Sequence, residues 1–386
     1  MGSRGFLTTL VFAALIVIGG AIPLNTTHIA PCSSALGERQ DWRTLNNTQK
    51  LDYINAVKCL QSLPSTGLVK KEAKTRYDDF IASHIVLTDE IHHVGQFLPW
   101  HRYFLRLYER ALQNECGYRG MNPYWNWTLD ITEGFDSFLA SPVFDPVYGF
   151  GGNGEYIPGY LGPFGNFSNL PGWSVDNATG GGCIQDGPFA SYNLSLGPGP
   201  ILNIERCIQR DFSNAFLYSL TAEQIANATR LETYDPFRLE LEGGPGNPTA
   251  KPHDGGHITL GGEMRNTYSS PGEPIFYLHH STIDKIWWEW QMADPENRLY
   301  DISGRTTVNP PYQNLTLDFP LKSNGLVPLE DSIASVMDLR NEFMCYTLTY
   351  TVPRRVSGIR VRPGRITGVT YKDAQFGAAW NYRQTG

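Results

Sequence analysis

The sequence predicts a mainly α-helical fold with long irregular loops and a few short strands. Three observations predict it. Apolar residues recur near helical spacing in four principal stretches, at 38–63, from Thr75, at 100–115 and at 275–292. Residues 140–200 are rich in Gly, Pro, Asn and Phe and show no period. Strand-like pieces are short and follow the last helix, around Tyr346-Thr347-Leu348-Thr349-Tyr350.

The first helix rests on Trp42, Leu45, Leu51, Ile54, Val57 and Leu60, with Pro64 after its end. The second runs from Thr75 to Ser83 and carries His84 at its C-terminal end; a loop then carries His92. The third, Trp100 to Glu115, has an apolar face of Phe104, Leu105, Tyr108 and Leu112 and holds His101 in its first turn. Aromatic residues such as Tyr148, Phe150 and Tyr156 mark 140–200 as a packed loop region rather than a separate domain. Thr221 caps a short helix to Thr229, and Phe237 to Glu242 leads into a Gly/Pro loop before His253-Asp254-Gly255-Gly256-His257.

With 386 residues, 41 % of them apolar, the chain can bury a sizeable core. The net charge of −7, without a long basic run before the last forty residues, argues against nucleic acid as a partner. Arg4, the apolar run Phe6 to Ile18 and the small residues Gly19-Gly20-Ala21 have the layout of a secretory signal peptide, 1–21. The rival is an uncleaved membrane anchor, at the short edge of a spanning helix. The body is then 22–352, and 353–386 is a basic tail whose Arg354-Arg355 pair is either a processing site or part of a solvated extension.

Six cysteines, at 32, 59, 116, 183, 207 and 345, imply three disulfides in an exported chain. Their pairing stays open; Cys183–Cys207 is the most local choice, and Cys32–Cys345 would tie the ends together. Glycosylation sequons stand at Asn25, Asn46, Asn126, Asn166, Asn177, Asn193, Asn227 and Asn314, with Asn126 expected to be buried among aromatics.

Eight of the nine histidines fall into two groups: His84, His92, His93 and His101, then His253, His257, His279 and His280. Each group can supply three nitrogen ligands, which points to two metal ions in one buried site. Imidazole is the usual neutral ligand of copper and zinc. His253 and His257, at i and i+4, can aim at one ion from a single helical turn, and Asp254 after His253 excludes the H-E-x-x-H zinc protease pattern. Asp284 can accept a hydrogen bond from a ligating imidazole. Phe276 lies one turn before His280 and can pack on an imidazole ring.

Phe97-Leu98-Pro99-Trp100-His101-Arg102, with His92 nine residues before His101, resembles the first copper signature of tyrosinases and catechol oxidases. Glu273-Pro274-Ile275-Phe276, followed by His280 and Asp284, resembles the second, with Glu273 where Asp is usual. Pro123-Tyr124-Trp125-Asn126-Trp127 and Trp42-Arg43 resemble two further family segments, the latter its N-terminal core arginine motif. The resemblance covers roughly residues 38 to 350. It implies a four-helix bundle holding a binuclear copper site, with two copper ions, one on His84, His92 and His101 and one on His253, His257 and His280. His93 and His279 are then neighbours rather than ligands. Glu242 is implied as the base, acting through a water, Phe276 as a guide for the substrate, and Asp254 as standing where enzymes that hydroxylate monophenols often carry Asn. No cysteine stands two residues before His92, so no Cys–His thioether is expected. The length matches a short, secreted fungal type without a large C-terminal shielding domain.

The implied activity is oxidation of phenols or o-diphenols to o-quinones with dioxygen, with or without ortho-hydroxylation of monophenols. An alternative within the class is a dedicated tailoring oxidase of a secondary-metabolite pathway, acting on a small phenol or a tyrosine-containing peptide, with loops such as 258–274 choosing the substrate. Outside the class stand reversible oxygen binding without catalysis and a zinc-stabilised binding protein.

Overall fold

The computed structural model describes residues 32, 34–160, 179–243, 249–328 and 330–348. The expectations for 1–21 and 353–386, and the sequons at Asn25, Asn166 and Asn177, lie outside these residues. Among the described residues no helix is long and apolar enough to cross a membrane.

Strand β1 (Gly37–Arg39) opens the body, and the first helix starts later than its apolar pattern predicts. Asp41 caps a 3-10 turn at Trp42–Thr44, and the chain is extended at Leu45. Asn46 then begins helix α1 (Asn47–Ser62): its side chain accepts the Gln49 N–H while the Gln49 side chain accepts the Asn46 N–H. This reciprocal cap fixes the start more firmly than the apolar period does. Tyr53, Ile54, Val57 and Leu60 form the buried face.

Helix α2 (Arg76–Ile91) opens on a similar cap, between Thr75 and Asp78. It runs two turns past Ser83, so His84 sits in mid-helix and not at the end. His92 terminates α2 in an extended conformation, and His93 turns the chain at φ +59. Helix α3 (Phe97–Cys116) begins three residues earlier than expected, which places His101 in its second turn. It stops at Gly117, whose φ of +68 suits a residue without Cβ.

Residues 140–160 and 179–200, the described part of 140–200, are mostly irregular with short strands, as the composition predicts. After the short helix α4 (Phe135–Leu139), β2 (Gly154–Tyr156) pairs with β3 (Gly181–Ile184), and β4 (Asn193–Leu194) pairs with β5 (Arg206–Cys207), both antiparallel. Phe150 is buried and Tyr156 is exposed. Thr221 caps α5 (Ala222–Thr229) as expected; α6 (Tyr234–Glu242) was legible only as an approach to the Gly/Pro loop. Pro252 opens α7 (Pro252–Leu260), and Pro274 precedes α8 (Ile275–Ala293). A small pair, β6 (Pro320–Leu321) with β7 (Asp331–Ser332), follows. Strand β8 (Tyr346–Leu348) then returns to lie parallel to β1.

The disulfides are Cys32–Cys345, Cys59–Cys116 and Cys183–Cys207. The first stands beside the β1–β8 pair and the second ties α1 to the end of α3. Helix α3 packs on α1, α2 and α8, and α7 packs on α8. The site-bearing helices are therefore α2, α3, α7 and α8, with α1 behind them. Asn46, Asn193 and Asn314 are exposed, whereas Asn126 is half-buried and accepts a hydrogen bond from Thr128.

Candidate metal centre

Two groups of imidazoles meet between these four helices. His84, His92 and His101 bring one ring nitrogen each within 4.8 Å of one another, and so do His253, His257, His279 and His280. The groups touch, since the rings of His101 and His280 stack with centroids 4.4 Å apart and planes 12° from parallel.

Backbone carbonyls decide which nitrogen five of the rings offer. Nδ1 of His84 lies 2.7 Å from the Tyr268 carbonyl, that of His92 2.9 Å from Thr88, and that of His101 2.8 Å from Phe97. In the second group Nδ1 of His253 lies 3.1 Å from the Glu242 carbonyl and that of His257 2.7 Å from Met264. A carbonyl can only accept, so each Nδ1 carries the proton and each Nε2 presents a lone pair. Nε2 of His84, His101 and His253 is buried without a hydrogen-bond partner. Nε2 of His257 and His280 lie 3.1 Å apart, a spacing natural to two nitrogens held about 2.0 Å from one ion.

Burial keeps these rings neutral. It pulls His84 and His253 down to about 4 and His92, His101, His257 and His280 well below the ordinary histidine value. Neutral imidazole is the ligating form. The donor set, its tautomers and its charge state all fit a pair of copper ions.

The other expected residues surround this set. Phe276, 1 % exposed, packs on His280 at 4.1 Å between centroids. Glu242 is fully buried at the end of α6, where its carboxylate accepts the His93 backbone N–H at 2.6 Å and pairs with Arg238. Burial pushes its carboxyl up to about 8, against the pull of Arg238 and the His93 N–H. Asp254 is half-buried, with one oxygen 3.4 Å from Nδ1 of His253.

Residues 74–293 match the family model described as the common central domain of tyrosinase. The chain belongs to the tyrosinase family. It is 34 % identical over 363 residues to the tyrosinase-like protein phomQ1 of Diaporthe leptostromiformis, covering 88 % of this chain and 85 % of that one. It is 31 % identical over 371 residues to N-acetyl-6-hydroxytryptophan oxidase ivoB of Emericella nidulans, covering 87 % and 99 %. A solved polyphenol oxidase of Thermothelomyces thermophila, in a mutant form, superposes with a TM-score of 0.73 at 32 % identity, over 83 % of this chain and 91 % of that one. The protein is thus a tyrosinase-family copper oxidase with a type 3 oxidoreductase fold.

Two expectations are corrected within this tyrosinase fold. Asp284 does not accept from an imidazole: it receives Arg39, Arg102 and the Tyr346 hydroxyl. The arginine of the N-terminal segment that enters the core is Arg39, not Arg43. Arg39 is fully buried, donates to Glu109 at 2.9 Å and to Asp284 at 3.0 Å, and lies over the Tyr346 ring, whereas the half-exposed Arg43 pairs with Asp130. Within 258–274, the Met264 and Tyr268 carbonyls hold His257 and His84. Arg238 was missed although its spacing to Glu242, i and i+4 on one helix, was there to be read. The carbonyl partners leave no side-chain signal.

Proposed function

We propose that this chain holds two copper ions, one on His84, His92 and His101 and one on His253, His257 and His280, and oxidises an o-diphenol to an o-quinone with dioxygen. The observation that carries the reading is the contact of two carbonyl-oriented imidazole groups through the stacked rings of His101 and His280. When bound, the copper pair supplies dioxygen binding and accepts the substrate's electrons. Each o-diphenol gives up two electrons and two protons, and two of them reduce one dioxygen to two waters.

The chain's own residues bind, orient and move protons. Phe276 keeps water from one face of His280 and presents an edge for an aromatic substrate. Glu242, with its raised proton affinity, is suited to take the phenolic proton near neutral pH. Asp254 stands half-buried beside His253, where its charge disfavours an approaching phenolate.

The relatives favour a dedicated substrate. One is named for oxidation of N-acetyl-6-hydroxytryptophan, a phenolic indole. We take the substrate to be a phenolic biosynthetic intermediate, either a small molecule or a tyrosine-containing peptide. Three disulfides support export, directed by the 1–21 segment.

The test is copper content by elemental analysis, with oxygen uptake on catechol, tyrosine and a tyrosine-containing peptide in parallel. Two coppers per chain with uptake on catechol are expected. Fewer than two metals in a fully loaded sample would sink the binuclear reading. Two coppers with uptake on the peptide alone would replace the catechol reading with the dedicated one.

A further inference from the structure

A cavity of about 510 Å³ lies between α2, α3 and residues 326–328, away from the metal centre. Its walls include Phe80, Tyr103, Leu107, Arg110, Val327 and Phe343. That volume is in the range of small-molecule sites. At about 100° per helical residue, Tyr103 and Arg110 stand on the far side of α3 from His101. The cavity reaches the surface at Asn114, which is exposed.

Two polar groups of the wall are left to be matched. Tyr103 is 1 % exposed, yet its hydroxyl completes no hydrogen bond, with the Asp331 backbone and the Ser323 side chain as polar neighbours. A buried hydroxyl in this state costs free energy that a bound acceptor would recover. Arg110 is half-buried, and among the described residues it enters no ion pair; its Nη2 donates to the Phe343 carbonyl at 2.9 Å, and its guanidinium lies over the Phe343 ring at 4.7 Å. Glu109, which acts on Arg110 through space, is itself held by Arg39 and Arg106. Arg76, the other cation of the wall, is matched by Asp79 and Glu115. Asp331 also lines the cavity, but burial raises its proton affinity and so weakens its opposition to an anion. The Phe343 and Tyr103 rings, with centroids 5.8 Å apart, and the buried Phe80 give the wall an aromatic character suited to a planar ring.

We propose that this cavity binds an aromatic carboxylate, with its ring against Phe80, Leu107 and Phe343 and its carboxylate on Arg110 and the Tyr103 hydroxyl. The site is separate from the oxidation centre and needs no copper. An uncharged analogue of the same shape gains the ring contacts but not the charge-assisted hydrogen bond to the guanidinium. No covalent bond forms or breaks.

The experiment is isothermal titration calorimetry of the full chain with 3-phenylpropionate and with its uncharged amide, 3-phenylpropanamide. The proteins compared are wild type, Arg110→Gln, Tyr103→Phe and Val327→Trp, each checked by its thermal transition and by oxygen uptake on catechol. Wild type is expected to bind one acid per chain at about 1 mM or tighter, and about tenfold more tightly than the amide, the scale of one hydrogen bond to a charged group. Arg110→Gln erases that preference, and Tyr103→Phe weakens the acid severalfold. Val327→Trp fills the cavity from a half-exposed position and abolishes binding of both probes, with oxygen uptake on catechol unchanged. Equal binding of acid and amide by wild type overturns the proposal. So does acid binding that survives both Arg110→Gln and Val327→Trp, which would place the acid at the oxidation centre or elsewhere. No acid binding at about 10 mM would leave the cavity to water and overturn it as well.

Discussion

The backbone N–H of His93 donates to Glu242 Oε1 at 2.6 Å, while the backbone carbonyl of Glu242 lies 3.1 Å from Nδ1 of His253. One residue therefore braces both imidazole groups. His93 holds a left-handed conformation, φ +59, that costs a side-chain-bearing residue of order 1 kcal/mol. Its carbonyl is also held, by Arg305 at 3.1 Å.

Replacing Glu242 tests this brace. Glu242→Ala strands the His93 N–H and leaves the buried Arg238 with Asp235 as its remaining carboxylate, at 2.7 Å. A loss of about 1–3 kcal/mol is expected, the scale for leaving a buried donor unsatisfied. Glu242→Gln keeps an acceptor for His93 and costs less. Urea denaturation reads both, and oxygen uptake reads the proton-transfer role. Full activity in Glu242→Gln would remove Glu242 as proton acceptor and leave only the brace.

The buried imidazoles make the metal-free protein acid-sensitive. His84 and His253 are pulled from 6.5 to about 4 by burial, and the other ligands move in the same direction. A depressed histidine means that the unfolded chain binds more protons, so this stability is present above about pH 6.5 and is lost as pH falls toward 4. Glu242 acts oppositely: raised from 4.5 to about 8, it makes stability fall as pH rises between those values. Six histidines outweigh one carboxyl below neutrality. The thermal midpoint of the metal-free chain should fall steadily from pH 6.5 to pH 4. A flat midpoint over that range would contradict the neutral, buried ligand set.

Much of this centre was legible in the sequence because it is local. The His253–His257 spacing, the Phe276–His280 turn and the Phe97–His101 segment each place their side chains within one helical turn. What was not legible depends on distant chain segments meeting. Arg39 sits among polar residues in a three-residue strand, and only pairing with Tyr346–Leu348 turns it inward. Asp284 has helical spacing to His280, but three donors from β1, α3 and β8 claim it first. The start of α1 was misplaced because Trp42 and Leu45 continue the apolar spacing across a turn that Asp41 and Asn46 interrupt by hydrogen bonding.

Arg39 ties this layer together, and its replacement should be severe. Arg39→Met leaves Asp284 with Arg102 and Tyr346 but removes the second guanidinium from Glu109, which then keeps Arg106. A loss of about 3 kcal/mol or more is expected by chemical denaturation. Arg39 holds Glu109, Asp284 and the Tyr346 ring, none of which is a ligand, so copper per folded chain should stay unchanged. Copper lost in proportion to neither stability nor folding would instead place Arg39 in the metal centre.

Asp254 supplies the sharpest test of reaction choice. Its carboxylate lies beside Nδ1 of His253, which the Glu242 carbonyl also holds. Asp254→Asn keeps the size and removes the charge. A carboxylate at this position repels the phenolate of either substrate, so loss of the charge alone should raise both rates. Because monophenol-hydroxylating enzymes that the sequence resembles often carry Asn there, the variant is expected to gain severalfold in oxygen uptake on tyrosine relative to catechol. The measurement is the ratio of initial rates on the two substrates at equal copper content. An unchanged ratio would show that access to the site, set by Phe276 and the loops around it, decides the reaction in place of charge at Asp254.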